Sequence, residues 1–270
     1  MPGKAEVKGD FHFAGGDDGA AVSYSDRSLN INKTAQVILD TNDPPIRMLW
    51  VACKNPLSQD FDRNKMIKAF KKLEMVVTVD QFFNETVAMS DIVLPVTTLF
   101  EEWTINASYW HYWLSINERA IQPMYEAKSD IQIASTLSKK LNELRPGSCT
   151  FPTEIDSREW MIKEFNQGIY DLFGIESWED LKKGPAKAKM HPASWHDLKF
   201  GTPSGKYEFK SELAEQWGHK ALPEYVAPRQ KNNKYRVLTP HTKFGLHSQF
   251  VNLDWSEEFY PEPFVYIHPD

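Results

Sequence analysis

Apolar and polar positions between residues 46 and 98 follow two alternating spacings, and together they spell strand, turn, helix, strand, turn and strand. The apolar run Ile46 to Cys53 stops at Asn55-Pro56, where proline cannot continue a central strand and asparagine offers a short side chain for a turn. Met66, Ile67, Phe70 and Leu73 then recur at helical spacing. Met75-Val-Val-Thr-Val79 returns as a β-branched strand that ends in Asp80, and Ile92 to Pro95 supplies a third. Continuous apolar strands separated by a helix predict a βαβ unit with a parallel sheet. In such sheets ligands bind outside the carboxyl ends of the strands, so Asn55 and Asp80 fall where a nucleotide would lie.

The remaining pattern is less regular. Residues 1 to 45 carry GGDDG and little apolar periodicity, and read as a lead-in segment. The glycines do not follow a strand, which a phosphate-cradling loop requires. Tyr109, Trp110, Tyr112 and Trp113 crowd around His111, and their alternation predicts a strand covered on both faces. Ser129 or Asp130 caps a helix whose expected buried stripe is Ile131, Ala134, Leu137, Leu141 and Leu144, closing an α/β domain over 46–145. Residues 146–234 read as a helical extension and linker, with a capping pair at Asp156 and Glu159 and a face of Trp160, Met161, Phe165, Ile169, Leu172 and Phe173. A new unit, 235–270, carries strand-like apolar residues from Val237 to Ile267.

Composition narrows the function classes. The 31 basic and 37 acidic residues give a net charge of −6, with no basic run of the kind nucleic acid calls for. No stretch reaches the length of a membrane span, and the first residues lack an apolar signal core. Cys53 and Cys149 are too few and too far apart for a metal cluster or a disulfide framework, and both read as buried thiols, Cys53 alternatively as a pocket wall. His191 and His196 are separated by Pro192, which interrupts any helix that would align them as ligands. Glu101 and Glu102 are sequence neighbours that point apart, and Asp91 at a strand entrance reads as an acceptor for backbone amides. No G-x-S-x-G, H-E-x-x-H or Walker loop is present, so no catalytic residue and no metal ligand is assigned.

Four stretches together resemble the large subunit of the molybdopterin oxidoreductases, the dimethyl sulfoxide reductase superfamily. They are Asn55-Pro56 followed by Asp60-Phe-Asp-Arg-Asn64, the strand ending Val77-Thr-Val-Asp80, the run Ser90-Asp-Ile-Val-Leu-Pro95, and Thr202-Pro-Ser-Gly-Lys206 with Glu208, which resembles a strand of that family. Leu238-Thr-Pro-His-Thr-Lys-Phe-Gly-Leu-His-Ser-Gln249 resembles the opening of that family's last, barrel-like domain. The resemblance runs from about residue 45 to the end and implies a Rossmann-like α/β fold, an open parallel sheet with flanking helices, followed by the truncated start of a β-barrel domain.

It also implies chemistry. The cofactor would be molybdopterin guanine dinucleotide carrying molybdenum or tungsten. Asp80 would accept the guanine N–H donors, Asn55 would approach the dinucleotide, and Asn84 and Thr86 would make polar contacts nearby; Thr239, His241, His247, Ser248 and Gln249 would meet the pterin and phosphate portion. From the residues alone, Asp80 equally suits a turn or helix cap. The chain then reads as a fragment of a molybdenum or tungsten oxidoreductase, inactive by itself. Its implied partners are the N-terminal half of a parent chain and an iron–sulfur electron-transfer subunit, with no nucleic acid and no membrane insertion. The fragment reads as cytoplasmic, the parent as cytoplasmic or exported. Two alternatives share the strand pattern: a non-catalytic interaction subunit, and an NAD-dependent dehydrogenase, whose G-x-G-x-x-G is missing at Cys53-Lys-Asn-Pro-Leu-Ser58.

Overall fold

The computed structural model describes residues 31–42, 44–107, 111–191, 193–227, 237–241, 243–259, 262 and 264–267. Contacts divide these into two compact units, one running through Ala188 and resuming at Phe244, the other Lys189–Lys243.

The first unit is built on the βαβ pattern. Strands β1 (Met48–Ala52), β2 (Met75–Asp80) and β3 (Ile92–Pro95) form a parallel sheet in the order β1-β2-β3. The register pairs Ala52 with Val79 and Asp80 with Pro95, so the strands finish nearly level. Helix α1 (Thr34–Asp40) lies inside the expected lead-in. It is anchored by Ala35 and Ile38, an apolar pair too short to register as periodicity. After β1 come a single turn, α2 (Pro56–Gln59), and the amphipathic α3 (Arg63–Lys72), whose Asp62 side chain accepts from the Lys65 amide as an N-cap. Ala35, Ile38, Val51, Leu57, Met66, Ala69, Phe70 and Val76 make one core beneath the sheet. Asp91 accepts a 2.7 Å bond from the Val76 amide, the backbone-satisfying role expected of it.

A second, antiparallel sheet contains β4 (Thr104–Asn106), β5 (Trp113–Asn117) and β6 (Ala186–Lys187) in that order. The aromatic block expected as a strand falls partly outside the described residues, at Tyr109 and Trp110; Trp113 opens β5. Leu114, Met161, Phe165, Trp178 and Leu181 form a separate core.

Helix α4 (Asp130–Leu144) begins at the Ser129 cap, but the buried residues are Ile133, Ser135 and Ser138, while Leu137 and Leu144 are exposed. Hydrogen bonds explain the rotated face. Ser138 Oγ donates to the Phe151 carbonyl at 2.6 Å, the Ile155 amide donates to Ser135 Oγ, and Asn142 exchanges two bonds with Cys149. The polar side chains sew the helix to residues 149–155, and that fixes which side faces in. The expected single helical face after Asp156 is divided into α5 (Ser157–Glu164) and α6 (Gln167–Phe173), because Asn166 caps a new helix through the Ile169 amide.

The Thr202–Glu208 stretch, expected as a strand, is a turn. Gly205 sits at φ 67° and Thr202 Oγ1 donates to the Lys206 carbonyl, closing a loop that a strand would leave open. Among the described residues of 237–267 a single Leu246–Gln249 bridge replaces the expected strands, followed by helix α8 (Asp254–Phe259), with α7 (Glu212–Gln216) preceding it in the second unit. Trp255 and Phe259 stand four residues apart on α8 and pack on Phe250 and Phe244 respectively, a cluster that a helix satisfies locally.

Two buried or bridged acids set a pH expectation. Glu101 accepts from the Thr98 amide and hydroxyl and from the Met124 amide, which holds its carboxyl below the usual range. Asp180, bonded by Lys183 Nζ and by the Glu176 and Ser177 amides, is lowered to about 2. Both folded-state values lie below the unfolded ones, so this stabilisation is complete above the unfolded carboxylate range and is lost as pH falls through the folded values. Asp180→Asn should therefore lower the thermal midpoint at pH 7 and flatten its decline from pH 4 to 2. A mutant whose midpoint tracks the wild type at every pH would remove this assignment.

Candidate functional site

Asn55 lies three residues beyond β1 and Asp80 ends β2, so both sit at the carboxyl edge of the parallel sheet. A chain of hydrogen bonds joins them. Asp80 accepts on one oxygen from the Phe82 amide at 3.0 Å and on the other from Asn84 Nδ2 at 2.8 Å. Asn84 Oδ1 in turn accepts from the Thr86 and Val87 amides, both at 3.0 Å. Thr86 Oγ1 donates to Asn55 Oδ1 at 2.5 Å and accepts from the Leu57 amide at 3.2 Å. The four residues singled out at this edge thus form one network.

Their exposures differ in a way that sorts their roles. Asp80 is half-buried, whereas Thr86 is 0% exposed and its hydroxyl is spent on Asn55 and Leu57. Asn55 is 6% exposed; its Oδ1 is taken, yet its Nδ2 makes no hydrogen bond among the described residues. A carboxylate oxygen can accept two bonds, so each Asp80 oxygen retains one acceptor position. The edge therefore offers an amide donor at one end and a two-oxygen acceptor at the other.

Gln59, at the end of α2, was not distinguished by the sequence pattern. Its Oε1 accepts from the Asn55 backbone N–H at 3.1 Å, and its Nε2 donates to Ser248 Oγ at 3.1 Å. Ser248 is thereby tied to the strand edge across 189 residues. His247 precedes it at φ 54°, and the Gln249 amide closes a turn onto the Leu246 carbonyl. Thr239 and His241 lie in the second unit, both exposed.

The surrounding charge is negative. Cys53, exposed rather than buried as its strand-end position suggested, adopts φ 53°. Partial burial pushes its thiol up, and Asp130, Asp80 and Glu102 add to the shift, so the thiolate needed for nucleophilic or metal chemistry is disfavoured. Burial likewise raises Glu102, against a hydrogen bond from Thr97. Lys54 is held by Asp60 at 2.8 Å. Cys149 is buried as expected. His191 and His196 do come together, with ring centroids 3.8 Å apart and planes within 11°. Stacked rings keep their nitrogen lone pairs in parallel planes, so they do not converge on one metal. Among the described residues no three of His, Cys, Asp and Glu gather to hold a metal ion, and no helix is long and apolar enough to cross a membrane.

The sequence profile of the molybdopterin oxidoreductase family matches residues 5–140, a span that covers the whole parallel sheet and the edge network. The chain belongs to the molybdopterin oxidoreductase family. Membership implies a molybdopterin cofactor with molybdenum. The match also begins well upstream of residue 45, where the sequence motifs had placed the start of the resemblance. Among curated relatives, a probable oxidoreductase of Bacillus subtilis (strain 168), YyaE, is 34% identical over 235 residues, 84% of this chain and 33% of that protein. The trimethylamine-N-oxide reductase of Vibrio parahaemolyticus serotype O3:K6 (strain RIMD 2210633) is 29% identical, covering 84% of this chain and 31% of its own. The dimethyl sulfoxide/trimethylamine N-oxide reductase of Cereibacter sphaeroides is 27% identical over 76% of this chain and 28% of its own. This molybdopterin oxidoreductase chain thus spans about a third of the length of the relatives it matches. Its fold resembles the acetylene hydratase of Pelobacter acetylenicus, with a TM-score of 0.57, 23% identity, and coverage of 75% of this chain and 27% of the other.

Proposed function

We propose that this chain supplies the dinucleotide end of a molybdopterin guanine dinucleotide site in an oxidoreductase of the trimethylamine-N-oxide and dimethyl sulfoxide reductase type. The observation that carries the reading is the edge network: an acceptor carboxylate with one open position on each oxygen, joined through Asn84 and Thr86 to the Asn55 side chain, whose amide nitrogen makes no hydrogen bond among the described residues. Guanine presents neighbouring N–H donors that one carboxylate accepts together, and such charge-assisted bonds are the strong class. Adenine lacks that pair. Asp80 holds the base, the Asn55 side-chain Nδ2 donates to a phosphate oxygen, and Ser248, tethered by Gln59, brings the His247–Gln249 segment to the same edge. When bound, the metal of the pterin, molybdenum or tungsten, supplies the electron-transfer chemistry. The full-length protein acts on an oxidised acceptor of the N-oxide or sulfoxide class and draws electrons from an iron–sulfur partner.

Calorimetry of GDP against ADP tests the base assignment. One charged hydrogen-bond contact is worth about 1.5–3 kcal/mol, so GDP should bind roughly tenfold to a hundredfold more tightly. Asp80→Ala should erase the difference. Equal affinity for the two nucleotides, or a preference that survives the substitution, counts against the reading.

A further inference from the structure

Thr86 occupies an unusual place in the edge network. It is the residue between Asn55 and Asn84, yet with 0% exposure it has no surface to offer a ligand. Its own backbone is fixed on both sides: the amide donates to Asn84 Oδ1, and the carbonyl accepts from Ser90 Oγ at 2.9 Å. Its hydroxyl has one proton and two lone pairs. The Leu57 amide points at that oxygen, which leaves the proton for Asn55. Were the Asn55 amide turned over, its Nδ2 would face an oxygen already accepting from Leu57, and the hydroxyl proton would have no acceptor. An unmet buried donor is costly, so the network assigns the Asn55 oxygen inward.

We propose that Thr86 is a positioning residue that sets the polarity of Asn55, presenting its amide nitrogen as a donor and so making this end of the edge select an anionic diphosphate. The inference rests on the dinucleotide reading above and deepens it. Thr86 touches no ligand; it acts through the orientation of Asn55. Without the hydroxyl, Asn55 can turn either way, and the carbonyl orientation sets an oxygen against phosphate oxygens. The base end is held by Asp80 and Asn84, so it keeps its own contacts.

The diphosphate increment, meaning the ratio of GDP affinity to guanosine affinity by calorimetry, reads this out. Thr86→Val, near-isosteric but without the hydroxyl, should lower the ratio about tenfold and leave guanosine affinity within about twofold. Thr86→Ser keeps the hydroxyl and should keep the ratio. Asn55→Asp, isosteric but unable to donate, should lower the ratio as far as Thr86→Val does. An unchanged ratio in Thr86→Val beside a lowered one in Asn55→Asp overturns the positioning role, and an unchanged ratio in both overturns the donor role of Asn55. A lowered ratio in Thr86→Ser also overturns it, since the loss then follows packing rather than the hydroxyl.

The dinucleotide reading fails separately, through equal GDP and ADP affinity in the wild type; the ratio of ADP to adenosine then decides the Thr86 inference on the same variants. Should Thr86→Val not fold, the wild-type Thr86 hydroxyl proton gives the result by NMR. Slow exchange with water and no close contact between that proton and the Asn55 side-chain amide protons support the assignment, and rapid exchange or such a contact overturns it.

Discussion

Phe70→Ala should destabilise the protein by about 3–5 kcal/mol, the range for deleting a buried aromatic ring. Phe70 is 3% exposed and sits on α3 among Ile38, Val51, Met66 and Val76, under the strands that end in the edge network. Its loss removes apolar area and leaves a cavity that a helix and a sheet cannot both close. Urea denaturation should show a lower midpoint with an unchanged slope. Because this core supports β1 and β2, nucleotide binding should weaken in step with the folded fraction as temperature rises. A loss below about 1 kcal/mol would mean that the site collapses readily and that the core is less tightly packed than its burial indicates.

Trp178→Ala should have a comparable stability effect, about 3–5 kcal/mol, with a different functional outcome. Trp178 is 6% exposed in the second core and meets Trp103 edge-on at 6.3 Å. Arg158 and Lys182 lie over its ring at 5.2 and 4.8 Å, so the substitution also removes two cation–π contacts. That core contains none of the edge-network residues. The preference for GDP over ADP should accordingly stay within about twofold of the wild type at a temperature where the variant is folded. A lost preference would show that the two cores are coupled and that the site depends on both.

The chemistry at the strand edge and the stability of the cores are thus separable quantities. Asp80 and Asn55 act through open hydrogen-bonding positions, whereas Phe70 and Trp178 act through area removed from water. The negative surroundings of the site have a further effect. Partial burial raises Cys53 and Asp130, Asp80 and Glu102 add to it, so the exposed thiol is poorly reactive at neutral pH despite its accessibility.

Much of this arrangement was legible in the sequence wherever the signal was local. The βαβ unit, the caps at Ser129 and Asp156, and the placement of Asn55 and Asp80 at strand ends follow from periodicity, proline and short polar side chains acting within a few residues. Parallel strands then carry those two residues to one edge, because consecutive strands of a βαβ unit run the same way. Contacts between distant residues leave no such trace. The Thr86–Asn55 bond spans 31 residues and the Gln59–Ser248 bond spans 189, and neither has a period to detect. The buried face of α4 departs from the sequence stripe for the same reason. Its leucines make a stripe in the sequence, but serine and asparagine bonds to residues 149–155 decide which side packs. Periodicity fixes which residues share a face. Only the tertiary partners decide which face is inside, and whether a polar side chain there is a ligand's contact or another side chain's support.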